Sequence, residues 1–92
     1  MPAAMLAESW ELDGSVALRP EPFGALAYHF GTRRLSFLKT PELVDVVRRL
    51  GSSDSVEVAL RDAGVPEAHW PAYVAALRGL ANGGMINRRD TA

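Results

Sequence analysis

The side chains able to do chemistry are few and scattered. The two histidines, His29 and His69, lie far apart in the sequence. His29 falls on the polar parity of a strand-like stretch, and His69 near the start of a helical one. A zinc site takes three or four ligands at suitable spacing, and neither histidine has such neighbours. Carboxylates pair only as Glu42 with Asp45 and Asp54 with Glu57. That spacing fits helix starts and solvated helix faces better than an acid–base couple. With 0 cysteines, disulfides, thiolate metal sites and a cysteine nucleophile are excluded, which fits a reducing compartment. There is no nucleophile elbow, P-loop or dinucleotide-binding glycine motif. Gly83 and Gly84 read as a helix stop. The expectation is a chain that is not an enzyme and takes no cofactor or metal.

What remains is recognition through charge. The formal net charge is −1, but its distribution is uneven. Residues 1–31 carry Glu8, Glu11, Asp13 and Glu21 against Arg19. Residues 32–50 carry Arg33, Arg34, Lys39, Arg48 and Arg49 against Glu42 and Asp45. Such a patch attracts an acidic peptide segment, or it is simply a solvated turn and helix face. The negative total argues against a general nucleic-acid partner. The N-terminus has no basic region followed by an apolar run, and no stretch approaches the roughly 18 apolar residues that span a bilayer. No membrane partner is expected, and the expected location is the cytoplasm.

The elements that would carry these residues are set by periodicity. A chain of 92 residues is one domain, here 1–92, with 1–9 and 88–92 expected to be loose. Trp10, Leu12, Val16 and Leu18 share one parity, with Gly14 interrupting; this predicts a strand near Val16–Arg19 behind an irregular lead-in. Pro20 and Pro22 confine the next residues to an extended or edge segment. Ala25–Phe30 alternates, with Leu26, Tyr28 and Phe30 on one face. Gly31–Arg34 reads as a turn in which Gly31 supplies backbone freedom. Leu35–Lys39 is the next strand. Leu35, Phe37 and Phe30 are assigned to the core, and Ser36 and Leu38 face outward or toward a partner.

Three helices are read in the same way. Thr40 caps and Pro41 opens a helix whose stripe is Leu43, Val44, Val46, Val47 and Leu50, and Gly51 ends it. Asp54 and Glu57 resemble a capping box for a second helix that carries Val56, Ala59, Leu60 and Ala63 inward and stops at Gly64. Pro66 opens a third segment, which Pro71 would divide. Its stripe is Trp70, Tyr73, Val74, Leu77 and Leu80, and Asn82–Gly84 breaks it. Met85 and Ile86 fold back as an apolar plug. The fold class is α+β: a three-stranded antiparallel N-terminal sheet followed by three short helices, in a winged-helix-like order.

That order, and the string from Trp10 to about Arg88, resemble the PqqD-like peptide-recognition domains, above all the precursor-binding chaperones of the mycofactocin system. The segment RPEPFGALAYHFGTRRLSFLK is the specific part of the resemblance; the helical half is more generic. The resemblance implies a protein that binds the leader of a ribosomally made precursor peptide and presents it to a radical S-adenosylmethionine maturase. In the family the leader adds to the third strand beside the third helix. Carried over, Arg34, Leu35, Ser36, Phe37, Leu38 and Lys39 form the edge, and Tyr73, Val74, Leu77 and Arg78 the wall. Leu38 is the preferred apolar contact, with Arg33, Arg34, Lys39 and Arg78 available to leader carboxylates. The open edge could also pair with a second copy. The alternatives are a winged-helix nucleic-acid binder and a module that only docks the enzyme.

Overall fold

The computed structural model describes residues 5–89. It is α+β, with antiparallel strands and, among the described residues, three α-helices. Strands β2 (Val16–Glu21), β3 (Gly24–His29) and β4 (Leu35–Leu38) form a three-stranded sheet in that order. Strands β1 (Trp10–Leu12) and β5 (Ile86–Arg88) form a separate two-stranded ribbon. The helices are α1 (Pro41–Arg49), α2 (Val56–Asp62) and α3 (Trp70–Asn82).

The three-stranded sheet obeys local chemistry closely. Pro20 faces Ala25 across the β2–β3 ladder. Phe30 N donates to Ser15 O at 2.8 Å, so the hydrogen-bonded pairs alternate from there and Pro20 falls at a non-bonded position. Its missing N–H therefore costs the ladder nothing, and β2 can be an edge strand. At the β3–β4 turn, the backbone freedom is needed at Arg33, whose φ is 62°, and not at Gly31. Gly31 matters in another way: a Cβ there would make a tight contact with the His29 ring, about 3.0 Å from Cε1. The His29 Nδ1 accepts from Gly31 N at 3.0 Å and Thr32 N at 3.2 Å. The ring proton of neutral His29 therefore sits on Nε2, which faces Asp13 Oδ1 at 3.5 Å. Asp13 accepts from the Asn87 side chain at 2.6 Å and from Ser15 N at 2.8 Å. These bonds hold its carboxyl below the ordinary aspartate range.

Which face of the sheet is core differs from the expectation. Ala25, Ala27 and Leu38 are buried, while Phe30, Leu35 and Phe37 are exposed at 64%, 57% and 61%. Leu38 pairs with Ala25 and Ser36 with Ala27, so these four share the helix-facing side. The reason is steric. Helix α1 packs on β3 and β4, and the alanines let it come close, with Leu43, Val46 and Val47 filling the interface. The bulky parity of β3 and β4 is turned to the other face. The assignment of Phe30, Leu35 and Phe37 to the core, and of Leu38 to the outside, is corrected accordingly.

The helices are capped as single-segment rules require, with one shift. Thr40 Oγ1 accepts from Leu43 N at 3.0 Å, and Pro41 occupies the first turn. A 3₁₀ turn, Leu50–Ser52, continues α1 through Gly51. The cap of α2 is Ser55, whose Oγ accepts from Val58 N at 3.3 Å; Asp54 lies one residue outside. The segment opened by Pro66 is divided just before Pro71, as expected: Glu67–His69 is a separate 3₁₀ turn, and Pro71 sits in the first turn of α3.

The chain ends are more ordered than expected. Met5 is buried, Glu8 O accepts from Val56 N at 3.0 Å, and Ser9 Oγ donates to Asp54 O at 2.6 Å. Met85 and Ile86 are buried as anticipated, but the segment then pairs with β1. Arg89 donates to the carbonyls of Gly51 and Ser53. Residues 1–4 and 90–92, also expected to be loose, lie outside the described residues.

Two substitutions test this packing. Gly24 sits where a Cβ would overlap the Leu38 carbonyl oxygen, so Gly24→Ala should cost more than about 1 kcal/mol. The thermal midpoint should fall by at least about 4 °C. Leu38→Asp places an unpaired carboxylate in the core at a cost of at least about 3 kcal/mol, against a total of about 5–10 kcal/mol for a chain this size. The expected outcome is loss of a cooperative melt, read by circular dichroism. A folded Leu38→Asp chain would refute the burial.

Candidate functional site

The three-stranded sheet has two edges, β2 and β4, and a groove lies beside that of β4. Among the described residues only β3 pairs with β4 in the sheet. His29 N donates to Arg34 O at 3.0 Å, so the bonded pairs alternate as His29–Arg34, Ala27–Ser36 and Ala25–Leu38. Leu35 and Phe37 consequently aim their N–H and C=O groups away from β3, toward the free edge. Their side chains lie on the outer face.

Helix α3 runs beside this edge and leaves a groove. One hollow, of about 440 Å³, is lined by Ser36, Phe37, Leu38, Lys39, Leu43, Ala76, Gly79 and Leu80. A second, of about 270 Å³, is lined by Lys39, Thr40, Leu43, Ala72, Tyr73 and Ala76. They share Lys39, Leu43 and Ala76, and so run on from one another. The spacing of Ala72, Ala76 and Gly79 puts a row of small side chains on one face of α3, and that row makes the room. The Tyr73 hydroxyl meets Thr40 Oγ1 at 3.1 Å, tying α3 to the residue that also caps α1. One side chain thus sets the end of the groove and the angle of its wall.

The expected site residues are only partly brought together. Ser36, Phe37, Leu38, Lys39 and Tyr73 line the groove. Leu35 adds backbone to its edge. Val74 and Leu77 do not face it; they are 3% and 0% exposed and belong to the core. They occupy the opposite side of α3, the apolar stripe that a helix turns inward. Arg33 and Arg34 are exposed in the turn at one end of β4, and Lys39 is exposed at the other. Arg78 is exposed on α3 and is not among the residues lining either hollow. The residues missed from sequence are Thr40, Leu43, Ala72, Ala76, Gly79 and Leu80. The signal available for three of them was the Ala72–Ala76–Gly79 spacing, small residues at helical repeat on a helix otherwise rich in larger ones.

The groove is lined by apolar side chains together with Ser36, Lys39, Thr40 and Tyr73. Among the described residues no group of three or more His, Asp or Glu is placed to hold a metal ion. Among them, too, no helix is long and apolar enough to cross a membrane.

Filling the groove tests its role. Ala76 lines both hollows and is half-buried. Ala76→Glu should leave the melt within a few degrees and weaken any peptide seated there by at least about tenfold, the cost of desolvating a carboxylate against an apolar ligand. Unchanged peptide affinity would move the site elsewhere.

A family model described as the peptide chaperone MftB family matches residues 9–87. The peptide chaperone MftB of Mycobacterium ulcerans is 51% identical over 84% of this chain and 71% of that protein. That of Mycobacterium tuberculosis is 48% identical over 89% of this chain and 75% of that protein. That of Mycolicibacterium smegmatis is 49% identical over 85% and 76%. No solved structure matches the chain. With a family model covering β1 to β5 and relatives near half-identical over most of both lengths, the chain belongs to the peptide chaperone MftB family.

Proposed function

We propose that this chain binds the leader of the mycofactocin precursor peptide as an added strand along β4 and presents it to a radical S-adenosylmethionine maturase. The reading takes the fold as winged-helix-like and the setting as the cytoplasm. The observation that carries it is the unpaired β4 edge with an apolar groove alongside, in a chain whose family is named for peptide chaperoning. Binding is the whole of this chain's part; the covalent chemistry belongs to the maturase.

Magnitudes indicate what the leader must look like. Leu35 and Phe37 together offer two N–H and two C=O groups to an added strand. At about 1 kcal/mol net for each bond, the four together only match the lower end of the association cost, about 4 kcal/mol. Side chains in the groove must provide the rest. Alternate residues of a strand lie about 6.8 Å apart on one face, which suits one side chain in each of the two adjoining hollows. The leader should therefore carry apolar residues at i and i+2. Lys39 borders both hollows, which favours an acidic residue close to that pair.

Titration calorimetry of the purified chain with the full precursor, and with the precursor lacking its leader, tests the proposal. Heat of binding is expected only when the leader is present. Replacing the two apolar residues by serine should abolish it. Equal binding of the leaderless peptide, or no binding of either form by folded protein, would sink the reading.

A further inference from the structure

The outer face of the three-stranded sheet carries an apolar patch that shares only Phe37 with the groove. Phe23, Phe30, Leu35 and Phe37 are exposed at 41%, 64%, 57% and 61%. They surround Leu26 and Tyr28, which lie opposite Phe37 and Leu35 on the same face. The rings are already organised: Phe23 meets Phe37 edge-on at 5.9 Å, and Tyr28 meets Phe30 at 4.9 Å. At about 200 Å² for each aromatic side chain, these exposures leave about 400 Å² of apolar surface. That is within the range in which the largest patch on a monomer is often functional. It is also about half of one side of a standard interface, the size of a transient one.

Charge says what kind of surface would cover it. Arg19 stands on the outer face opposite Leu26 and is ion-paired with Glu21 at 3.3 Å. Arg33 and Arg34 lie in the turn at one end of the patch, and Lys39 comes after β4 at the other. The border is therefore basic, although the whole chain has a net charge of −1. A second copy laid face to face would bring two basic borders together, which is unfavourable. A nucleic-acid partner is disfavoured by the chain's net charge of −1, because affinity for nucleic acid comes mainly from neutralising phosphates. An apolar surface ringed by carboxylates satisfies both features.

We propose that this outer face is a second docking surface, for a protein partner whose own apolar patch is bordered by acidic residues. The partner is the enzyme to which the peptide is presented, an identity that rests on the function proposed above. Phe37 both lines the groove and lies in the patch, so the two surfaces meet along β4. A leader strand added there would extend the sheet, and its outward side chains would continue the aromatic face. The enzyme would then contact chaperone and peptide at once.

The test uses the full chain, the precursor peptide and the purified maturase. Phe30 and Arg19 lie on the outer face and line neither hollow. Phe30→Ser combined with Arg19→Glu should weaken maturase binding by at least about tenfold while changing leader affinity by less than about twofold. Ala76→Glu should do the reverse. Thermal melts verify folding, and Arg19→Glu alone serves if the double variant is unstable. The proposal is overturned if the maturase binds the outer-face variants as well as the unaltered chain, or does not bind the unaltered chain. It also falls if sedimentation shows a dimer that these changes abolish, or if a labelled single-stranded RNA binds saturably and loses affinity with them. An unaltered chain that binds the maturase but not the leader, and that loses the maturase with the outer-face changes, would defeat the peptide reading and leave this surface standing.

Discussion

The close seating of α1 on the alanine side of β3 is the contact on which the rest of the structure depends. Ala25 and Ala27 are 0% and 1% exposed, and their small side chains set how near the helix can come. Because side chains alternate strictly along a strand, choosing that side as core commits every residue of β3 and β4. Leu38 must go inward with the alanines. Leu26, Tyr28, Leu35 and Phe37 must go outward. A shift of one residue in the pairing would reverse the whole arrangement, and the observed register needs a residue without a Cβ at position 24, where one would meet the Leu38 carbonyl.

The groove is a consequence of that choice together with a second tie. With Leu38 and Leu43 on the inner side, the floor beneath the β4 edge is apolar. The bond between Tyr73 and Thr40 then holds α3 beside the edge, and the Ala72–Ala76–Gly79 row leaves the space between them open. Larger residues on that row would fill the space and let α3 cover β4, as an edge strand is usually covered. Here the edge stays open, with Arg33, Arg34 and Lys39 at its ends.

Strand β4 thus presents three separate surfaces. Its inner side is core, its edge offers backbone hydrogen bonds, and its outer side belongs to an aromatic patch. On the function proposed above, a partner that needs both the chaperone and its cargo would find them side by side along this strand. The β1–β5 ribbon and Arg89 stay clear of it, closing the ends of the chain over Gly51 and Ser53 on the helical side.

Local features were legible in the sequence, because the interactions that make them are complete within a few residues. The Thr40–Pro41 helix start, the Leu43–Val46–Val47–Leu50 stripe, the Ala25–Phe30 and Leu35–Lys39 strands and the stops at Gly64 and Gly83–Gly84 all arise from contacts at short range. The capping of α2 was misplaced by one residue, since Asp54 and Ser55 are both competent caps and only packing selects Ser55. The candidate site was half legible: its strand was found, but its wall was read from the apolar stripe of α3, which any helix turns to the core. What the sequence could not determine was the buried face of the sheet and the pairing of β1 with β5. The most apolar parity of β3 and β4 looked like core, yet a helix further along the chain settled the matter by needing small residues beneath it. Asp13 and Asn87, 74 residues apart, meet only because the finished core brings the two ends together. Short-range hydrogen bonding is written in the chain itself; which surface is left over for a partner is decided by the packing of elements that meet only when the whole domain has folded.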